Sequence, residues 1–459
     1  MSRRIAYCTF GCRLNQYDTE AIRTLVDDGC DFETVGARDA ADIYVVNTCS
    51  VTARADASAR KAIRRIAAER PKSRIVVTGC YAQRAPEELA ALPGVALVVG
   101  AADRSRVAEL IDRLEDGPAV VAVSPISTAK SFLDVPITEM TEHSRAFVKV
   151  QEGCNESCTF CIVPQTRGVS RSRTRASVLD QVRRLAEAGY IEVVLTGVHI
   201  GDYGLDLPEG RRMLPDLIED ILEIDGVERF RLSSIEPASL GDEVIALMAG
   251  SPKFARHFHI PFQSGSDAVL GRMKRRYRAG EFADLVTRIG ERIPDCGIGV
   301  DVICGFPGET DDDFLRTFEY VEGLPVTYVH AFTYSARPGS EAEHFTGQVP
   351  GEVRKRRTRA LKRLAADKQR RFAKRHVGRV VDVLLEPSRR GGTARIGGWT
   401  DNYLRVDLGE GRADARLESV VITGLDDGGL FGIRASASDV GLRFANPTYE
   451  GPSVSGRSD

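Results

Sequence analysis

FVKVQEGCNESCTFC, residues 147–161, decides how this chain is read. Its first five residues fit a buried strand, and the strand runs into three thiols, Cys154, Cys158 and Cys161, spaced C-x3-C-x2-C. Structural zinc takes four protein ligands, commonly as two close pairs, and no fourth thiol stands nearby. Cuboidal iron–sulfur clusters are normally held by four thiolates, so three would leave one iron open to a small molecule. A strand followed at once by a metal loop also places the loop at a strand's carboxyl end, where α/β folds build their sites.

Working outward, the strand pattern recurs in EVVLTG (192–197), RFRLSSI (229–235), HFHIPFQ (257–263), GVDVICG (299–305) and TYVHAFTYS (327–335). Helical stretches such as SVLDQVRRLAEAG and GEFADLVTRIGERI lie between them. Six βα units of about thirty to forty residues predict a partial or complete parallel barrel, a (βα)6-type domain over 144–370, with its working face at the strands' carboxyl ends. Towards the amino terminus, RIAYCTF, IYVVNTC, RIVVTGC and ALVVG alternate with amphipathic segments, which predicts a parallel α/β sheet domain over 1–117. Cys12, Cys49 and Cys80 follow three of these strands, so three loops would bring them together although 37 and 31 residues separate them in sequence. Residues 118–143 contain Pro, Ser and Thr, lack a helical period, and read as a linker. Beyond the barrel, GRVVDVLLEPS, TARIGGWTDNYLRVDL, ARLESVVITGL and GGLFGIRAS predict a small antiparallel β-barrel over 371–437, and 438–459 reads as a disordered tail.

Composition bounds the function. A chain of 459 residues exceeds one core and suggests roughly two to four domains. Hydrophobic content of 42% and charged content of 28% are those of a globular protein, and apolar runs such as Ile75–Thr78 are far too short for a membrane span. The opening MSRRIAYCTF runs straight into strand-like sequence, so a cytoplasmic protein with no membrane partner is expected. In that reducing compartment ten cysteines argue for metal or redox chemistry over disulfides. A net charge of −2 hides a basic stretch, Gly351–Val380, where thirteen Lys or Arg accompany two acids; it reads either as a solvated helix face or as a phosphate-binding surface.

On these residues the chain resembles the radical S-adenosylmethionine superfamily: C-x3-C-x2-C, with Phe160 just before the third cysteine, at the mouth of a βα barrel. FGCRLNQYDTE, NTCSVT and TGCYAQ, together with EGCNESCTFCIVPQTRG, HIPFQSGSDAVLGRMKRRY and GFPGETDDDF, resemble the methylthiotransferases within it, and the terminal barrel resembles their RNA-binding TRAM domain. The resemblance runs from residue 4 to residue 435. It implies two 4Fe-4S clusters, an auxiliary one on Cys12, Cys49 and Cys80 and a second on Cys154, Cys158 and Cys161, with S-adenosylmethionine as cofactor. One S-adenosylmethionine would methylate sulfur at the auxiliary cluster and another would give the radical, so the two open irons must face one another across the substrate. NQYDTE, LTGVHIGDYG and LSSIEP look most like the branch that methylthiolates threonylcarbamoyladenosine beside the tRNA anticodon. Isopentenyladenosine of tRNA and a ribosomal-protein aspartate are the alternative substrates; a non-catalytic, zinc-containing RNA-binding protein is the alternative of another class. Implied partners are the anticodon stem-loop, an electron donor such as flavodoxin or ferredoxin, and a sulfur source.

Other residues take expected roles on the same reading. Phe160, Gly197, Gln263 and Asp301 would border S-adenosylmethionine, Phe160 being equally a core aromatic. Arg167, Arg171, Arg173 and Arg175 in TRGVSRSRTR would hold RNA phosphates, and Arg379, Trp399 and Tyr403 would meet RNA through the terminal barrel. Core packing is the alternative for Trp399 and Tyr403. Cys8, Cys30, Cys296 and Cys304 read as buried thiols, and His199, His257 and His259 as structural histidines. In GFPGET, Thr310 reads as the cap of the next helix, with Asp313 at its third position.

Overall fold

The computed structural model describes residues 3–140, 144–390, 393–411 and 414–436, so the expected tail lies outside the described residues. The chain forms two compact units, Met1–Ala365 and Ala366–Asp459. In the first, β1 (Arg3–Thr9), β2 (Phe32–Val35), β3 (Ile43–Thr48), β4 (Arg74–Gly79), β5 (Val95–Val99) and β6 (Val120–Ala122) form one sheet in the order β2-β1-β3-β4-β5-β6. Every pairing in it is parallel. Strands covered on both faces need apolar residues at every position, which is why IYVV and RIVV carry no alternation. Tyr44, Val46, Val77 and Val98 pack on one face and Ile43, Val45, Val76 and Leu97 on the other, as the two-residue period of a strand requires.

β6 corrects the reading of 118–143 as a linker. Val120–Ala122 pair with Leu97–Val99, and Val135, Ile137 and Met140 join the central core. The Pro and Ser of this segment mask an apolar run just long enough to add an edge strand.

The central part holds β7 (Ala146–Lys149), β8 (Gln151–Glu152), β9 (Arg171–Ser172), β10 (Glu192–Thr196), β11 (Arg229–Leu232), β12 (His257–His259), β13 (Gly297–Cys304) and β14 (Tyr328–Thr333). Parallel runs β11-β10-β7 and β12-β13-β14 are joined by parallel bridges at Phe230–Phe254 and Ser234–His259. Six parallel strands thus follow in chain order, the open barrel expected from the six strand-like segments. β8 and β9 form a short antiparallel ribbon that closes the intervening segment, Gly153–Ser170, and with it the three thiols. Thr310 caps the helix Asp311–Gly323 in a capping box with Asp313.

The helix Gly351–Lys374 buries Arg357, Leu361, Leu364, Ala365 and Phe372 and leaves Arg356, Arg359, Arg363, Arg370 and Lys374 exposed at spacings of three, four, seven and four residues. Those spacings put the cations along one side of the helix. In the second unit β15 (Val380–Arg390), β16 (Thr393–Thr400), β17 (Arg405–Glu410), β18 (Leu417–Asp426) and β19 (Gly429–Arg434) close a barrel in the order β15-β16-β17-β19-β18 around Val383, Leu385, Val406, Val420 and Ile422. All pairings are antiparallel except β17 with β19, which is parallel and makes the closure.

Candidate metal centres

Cys12, Cys49 and Cys80 stand at the carboxyl ends of β1, β3 and β4, which are neighbours in the sheet. Cys12 is the residue before the helix Arg13–Gly29, Cys49 follows β3, and Cys80 opens the helix Cys80–Arg84. Gly11 has φ +106°, and a Cβ there would lie 2.6 Å from Cys49 Cβ and 3.0 Å from its Sγ, so only glycine lets the first two loops approach. Asn15 Nδ2 donates to Phe10 O at 2.7 Å and to Thr48 O at 3.0 Å, tying the same loops together. Burial pushes the Cys49 thiol up to about 12, and its neighbours Cys80 and Cys12 push the same way. Cys12 is reached by solvent, yet the protein around it still raises its thiol, as happens in the wall of a narrow opening.

The central trio is built from one loop. Gly153, at φ +75°, permits the turn into it, for a Cβ there would lie 1.9 Å from Val169 O. Each sulfur has a donor aimed at it: Glu156 N at 3.4 Å from Cys154 Sγ, Val163 N at 3.4 Å from Cys161 Sγ, and Arg275 Nη1 at 3.2 Å from Cys158 Sγ. Burial pushes Cys154 up to about 11 and Cys161 up to about 12. Left alone, such thiols keep their protons, and donors directed at sulfur would serve a thiolate. All six cysteines are free of disulfides. In donor type and number each trio fits a cuboidal cluster with one iron left for a non-protein ligand.

The two trios meet through short helices. Cys80–Arg84 packs against Val163–Arg167, which begins two residues after Cys161. Arg167 reaches from that helix to Asn15 Oδ1 at 2.6 Å, Asp18 Oδ2 at 3.0 Å and Glu152 Oε1 at 2.7 Å. Lys149 and Arg104 complete the cluster, Lys149 Nζ lying 2.6 Å from Asp18 Oδ1 and 2.9 Å from Glu152 Oε2, and Arg104 Nη1 3.1 Å from Asp18 Oδ1. These cations hold the Asp18 and Glu152 carboxyls below the usual carboxylate range against the opposing effect of burial. A second contact lies beside Cys49: Ser50 and Asp56 take Arg84 at 2.9 Å each and are also bonded by buried Arg337, from beyond β14.

A cavity of about 200 Å³ opens between these contacts, lined by Val51 and Thr52 from the loop after Cys49, and by Phe160, Gln263, Asp301, Ile303, Phe332, Thr333, Tyr334 and Ser335. Three of the four residues expected at S-adenosylmethionine therefore share one space. Gln263 holds φ +62°, and its Oε1 is buried without a hydrogen-bond partner among the described residues. Asp301 accepts from His259 Nε2 at 3.0 Å and lies 3.3 Å from His330 Nδ1, and these bonds bring its carboxyl down to about 2 although burial opposes them. Phe160 lines the cavity and also meets Phe306 edge to face. Gly197 stands apart from this lining: a Cβ there would lie 3.2 Å from Gln151, whose Oε1 accepts from Val198 and His199 N–H, so its smallness serves packing.

The arginine run is corrected. Arg167, Arg171 and Arg173 are buried; Arg171 donates to backbone carbonyls of Ala129, Val169 and Arg167, and Arg173 pairs with Asp134. Arg175 is the most open of the four and bonds Asp220. None of them offers a bare phosphate-binding surface, since each already donates to carboxylates or carbonyls of the protein. Trp399 and Tyr403 stack on each other at 4.6 Å, half-exposed, with Trp399 Nε1 on Glu386. Arg379 is exposed. Cys296 and Cys304 are buried as expected, whereas Cys8 and Cys30 are only half-buried. His257 is buried with Nε2 on Tyr328 Oη at 2.8 Å, and His199 Nδ1 lies 3.4 Å from Asp202. Sequence reasoning missed Asn15, Arg275, His330 and Arg337; the first three stand in the quoted FGCRLNQYDTE, HIPFQSGSDAVLGRMKRRY and TYVHAFTYS, and Arg337 lies just beyond the last of these.

Residues 148–321 match the family described as the Radical SAM superfamily, and residues 4–100 match Uncharacterized protein family UPF0004. The chain is 38% identical to the threonylcarbamoyladenosine tRNA methylthiotransferase MtaB of Bacillus subtilis (strain 168), over 88% of this chain and 89% of that protein. It is 33% identical to the tRNA-2-methylthio-N(6)-dimethylallyladenosine synthase of Aquifex aeolicus (strain VF5), over 85% and 90%. In fold it is similar to the radical S-adenosylmethionine methyltransferase TsrM from Kitasatospora setae, solved with cobalamin and a 4Fe-4S cluster bound. The TM-score is 0.54 at 16% identity, over 72% of this chain and 75% of that one. Among the described residues no helix is long and apolar enough to cross a membrane.

Proposed function

Since the chain belongs to the methylthiotransferase family of radical S-adenosylmethionine enzymes, we propose that it adds a methylthio group to carbon 2 of threonylcarbamoyladenosine beside the tRNA anticodon. One observation carries this reading: two trios of thiols, each one ligand short of a cuboidal cluster, flank two short helices that pack together, Cys80 opening one and Cys161 standing two residues before the other. The greater identity to the threonylcarbamoyladenosine enzyme, 38% against 33%, favours that substrate over isopentenyladenosine.

Cys12, Cys49 and Cys80 would hold the auxiliary cluster, and Cys154, Cys158 and Cys161 the cluster that binds S-adenosylmethionine. When bound, these groups supply the radical and the transferable sulfur that no side chain can provide. The protein's part is to orient and to exclude water. Phe160 and Phe332 give the cavity apolar walls, while Gln263 and Asp301 offer it an amide and a carboxylate. With its Oε1 unpartnered inside the protein, Gln263 is held ready for a hydrogen-bond donor on a ligand. The exposed cations of Gly351–Lys374, with Arg379, would neutralise tRNA phosphates, and the Trp399–Tyr403 pair would stack on an unpaired base. The work is assigned to the cytoplasm, with flavodoxin or ferredoxin as electron donor and a separate sulfur source.

Nucleoside mass spectrometry of tRNA from a deletion strain tests the proposal. Loss of 2-methylthio-threonylcarbamoyladenosine, restored by the wild-type chain, is expected. Loss of the methylthio group from isopentenyladenosine alone, or intact tRNA with an unmodified ribosomal aspartate, would overturn the substrate. Zinc in place of iron, with no 5′-deoxyadenosine formed under reducing conditions, would overturn the enzyme.

A further inference from the structure

Arg167 and Asn15 form a buried side-chain link between the surroundings of the two trios. Arg167 ends the helix that begins just past Cys161, and its Nη1 holds Glu152, two residues before Cys154. Its Nη2 holds Asn15 Oδ1. Asn15 Nδ2 in turn donates to Phe10 O and Thr48 O, the first two residues before Cys12 and the second one before Cys49. One guanidinium and one amide therefore tie the backbone beside Cys12 and Cys49 to the Glu152 carboxylate beside Cys154. Both side chains are buried, so neither can serve RNA. A planar guanidinium fork accepts only a narrow range of partner positions, whereas apolar packing would tolerate sliding. Buried ion pairs add little net stability compared with well-packed apolar groups, and fixing one arrangement is the role in which they are best attested.

We propose that Arg167 and Asn15 are positioning residues that set the separation and orientation of the two trios, so that a radical formed at the central site is used for sulfur insertion and not lost in abortive cofactor cleavage. This rests on the assignment of both trios as cluster sites. The experiment compares reconstituted wild type with Asn15→Ala and Arg167→Lys. Arg167→Lys keeps the buried charge and removes only the fork, which guards against an unfolded chain. Three quantities are read: iron per chain, the spin–spin interaction between the two reduced clusters by electron paramagnetic resonance, and methylthiolated nucleoside formed per 5′-deoxyadenosine.

Iron is expected to stay at the wild-type level, the spin interaction to change, and product per 5′-deoxyadenosine to fall on the order of tenfold to a hundredfold, as for a misplacement of reacting groups by about 1 Å. Unchanged spin interaction and unchanged product ratio in both variants would overturn the proposal. So would loss of the amino-terminal iron in both, since the pair would then merely hold its own loops. A wild-type chain that binds a single cluster would remove the functional reading and this inference together, whereas normal wild-type behaviour with silent variants removes the inference alone.

Discussion

The two cysteine trios reach similar ends by opposite construction. The central one is a single loop between β8 and β9, and its sulfurs take hydrogen bonds from Glu156, Val163 and Arg275. The amino-terminal one is assembled from three strand ends, and its geometry depends on neighbouring strands and on the absence of a side chain at Gly11. A loop can keep its spacing by local bonds; a site drawn from three strands inherits its spacing from the sheet. The central site should therefore fail one bond at a time, and the amino-terminal one should fail with the fold around it.

Removing either trio sharpens the contrast most. Triple alanine replacement of Cys12, Cys49 and Cys80, or of Cys154, Cys158 and Cys161, should each lower iron from about eight to about four per chain and abolish product. Only the second should abolish 5′-deoxyadenosine; equal loss of it in both would erase the division of labour. Next in size is Asp18→Leu, which leaves Lys149, Arg104 and Arg167 with Glu152 as their carboxylate. Breaking such a buried network costs about 3–5 kcal/mol, read as a lower urea midpoint of the whole chain. A change confined to the amino-terminal iron, with the midpoint kept, would contradict the view that sheet and site fail together.

Arg275→Met removes a cation and a hydrogen bond worth about 1.5–3 kcal/mol from Cys158 and takes the partner of Glu236 with it. A positive donor favours the reduced, more negative cluster, so the midpoint potential of the central site should fall while the amino-terminal one stays put. Equal shifts at both would mean that they share one electrostatic environment. The smallest effect is expected from Thr52→Ala, which deletes the hydroxyl that accepts from Ala55 N at 3.2 Å at the start of the helix Ala53–Glu69. It should lower stability by about 1 kcal/mol and speed amide exchange after Cys49, leaving the central loop protected.

Strand ends were legible because parallel strands covered on both faces spell themselves as unbroken apolar runs, and IYVVNTC and RIVVTGC place their cysteines without help. The six candidate ligands were legible for the same reason, with spacing adding the central three. What escaped depended on pairs far apart in the chain. Arg167 looks like an RNA contact in TRGVSRSRTR because nothing local says that Asp18 and Asn15, some 150 residues earlier, will meet it. Arg337 is invisible until Asp56 stands beside it. His330 sits in an ordinary strand, and only the register of β13 with β14 sets it opposite Asp301.

Asp18, Glu152 and their cations make the junction between the amino-terminal sheet and the barrel largely ionic, with Tyr17 and Ala21 as the fully covered apolar residues that the Arg13–Gly29 helix lends to the central core. During synthesis the sheet is complete before Lys149 or Arg167 leaves the ribosome. A face of this kind is comfortable in water, so the waiting half-made chain presents little that is adhesive to chaperones or to its own copies, and its docking onto the barrel becomes a late step that added salt should slow.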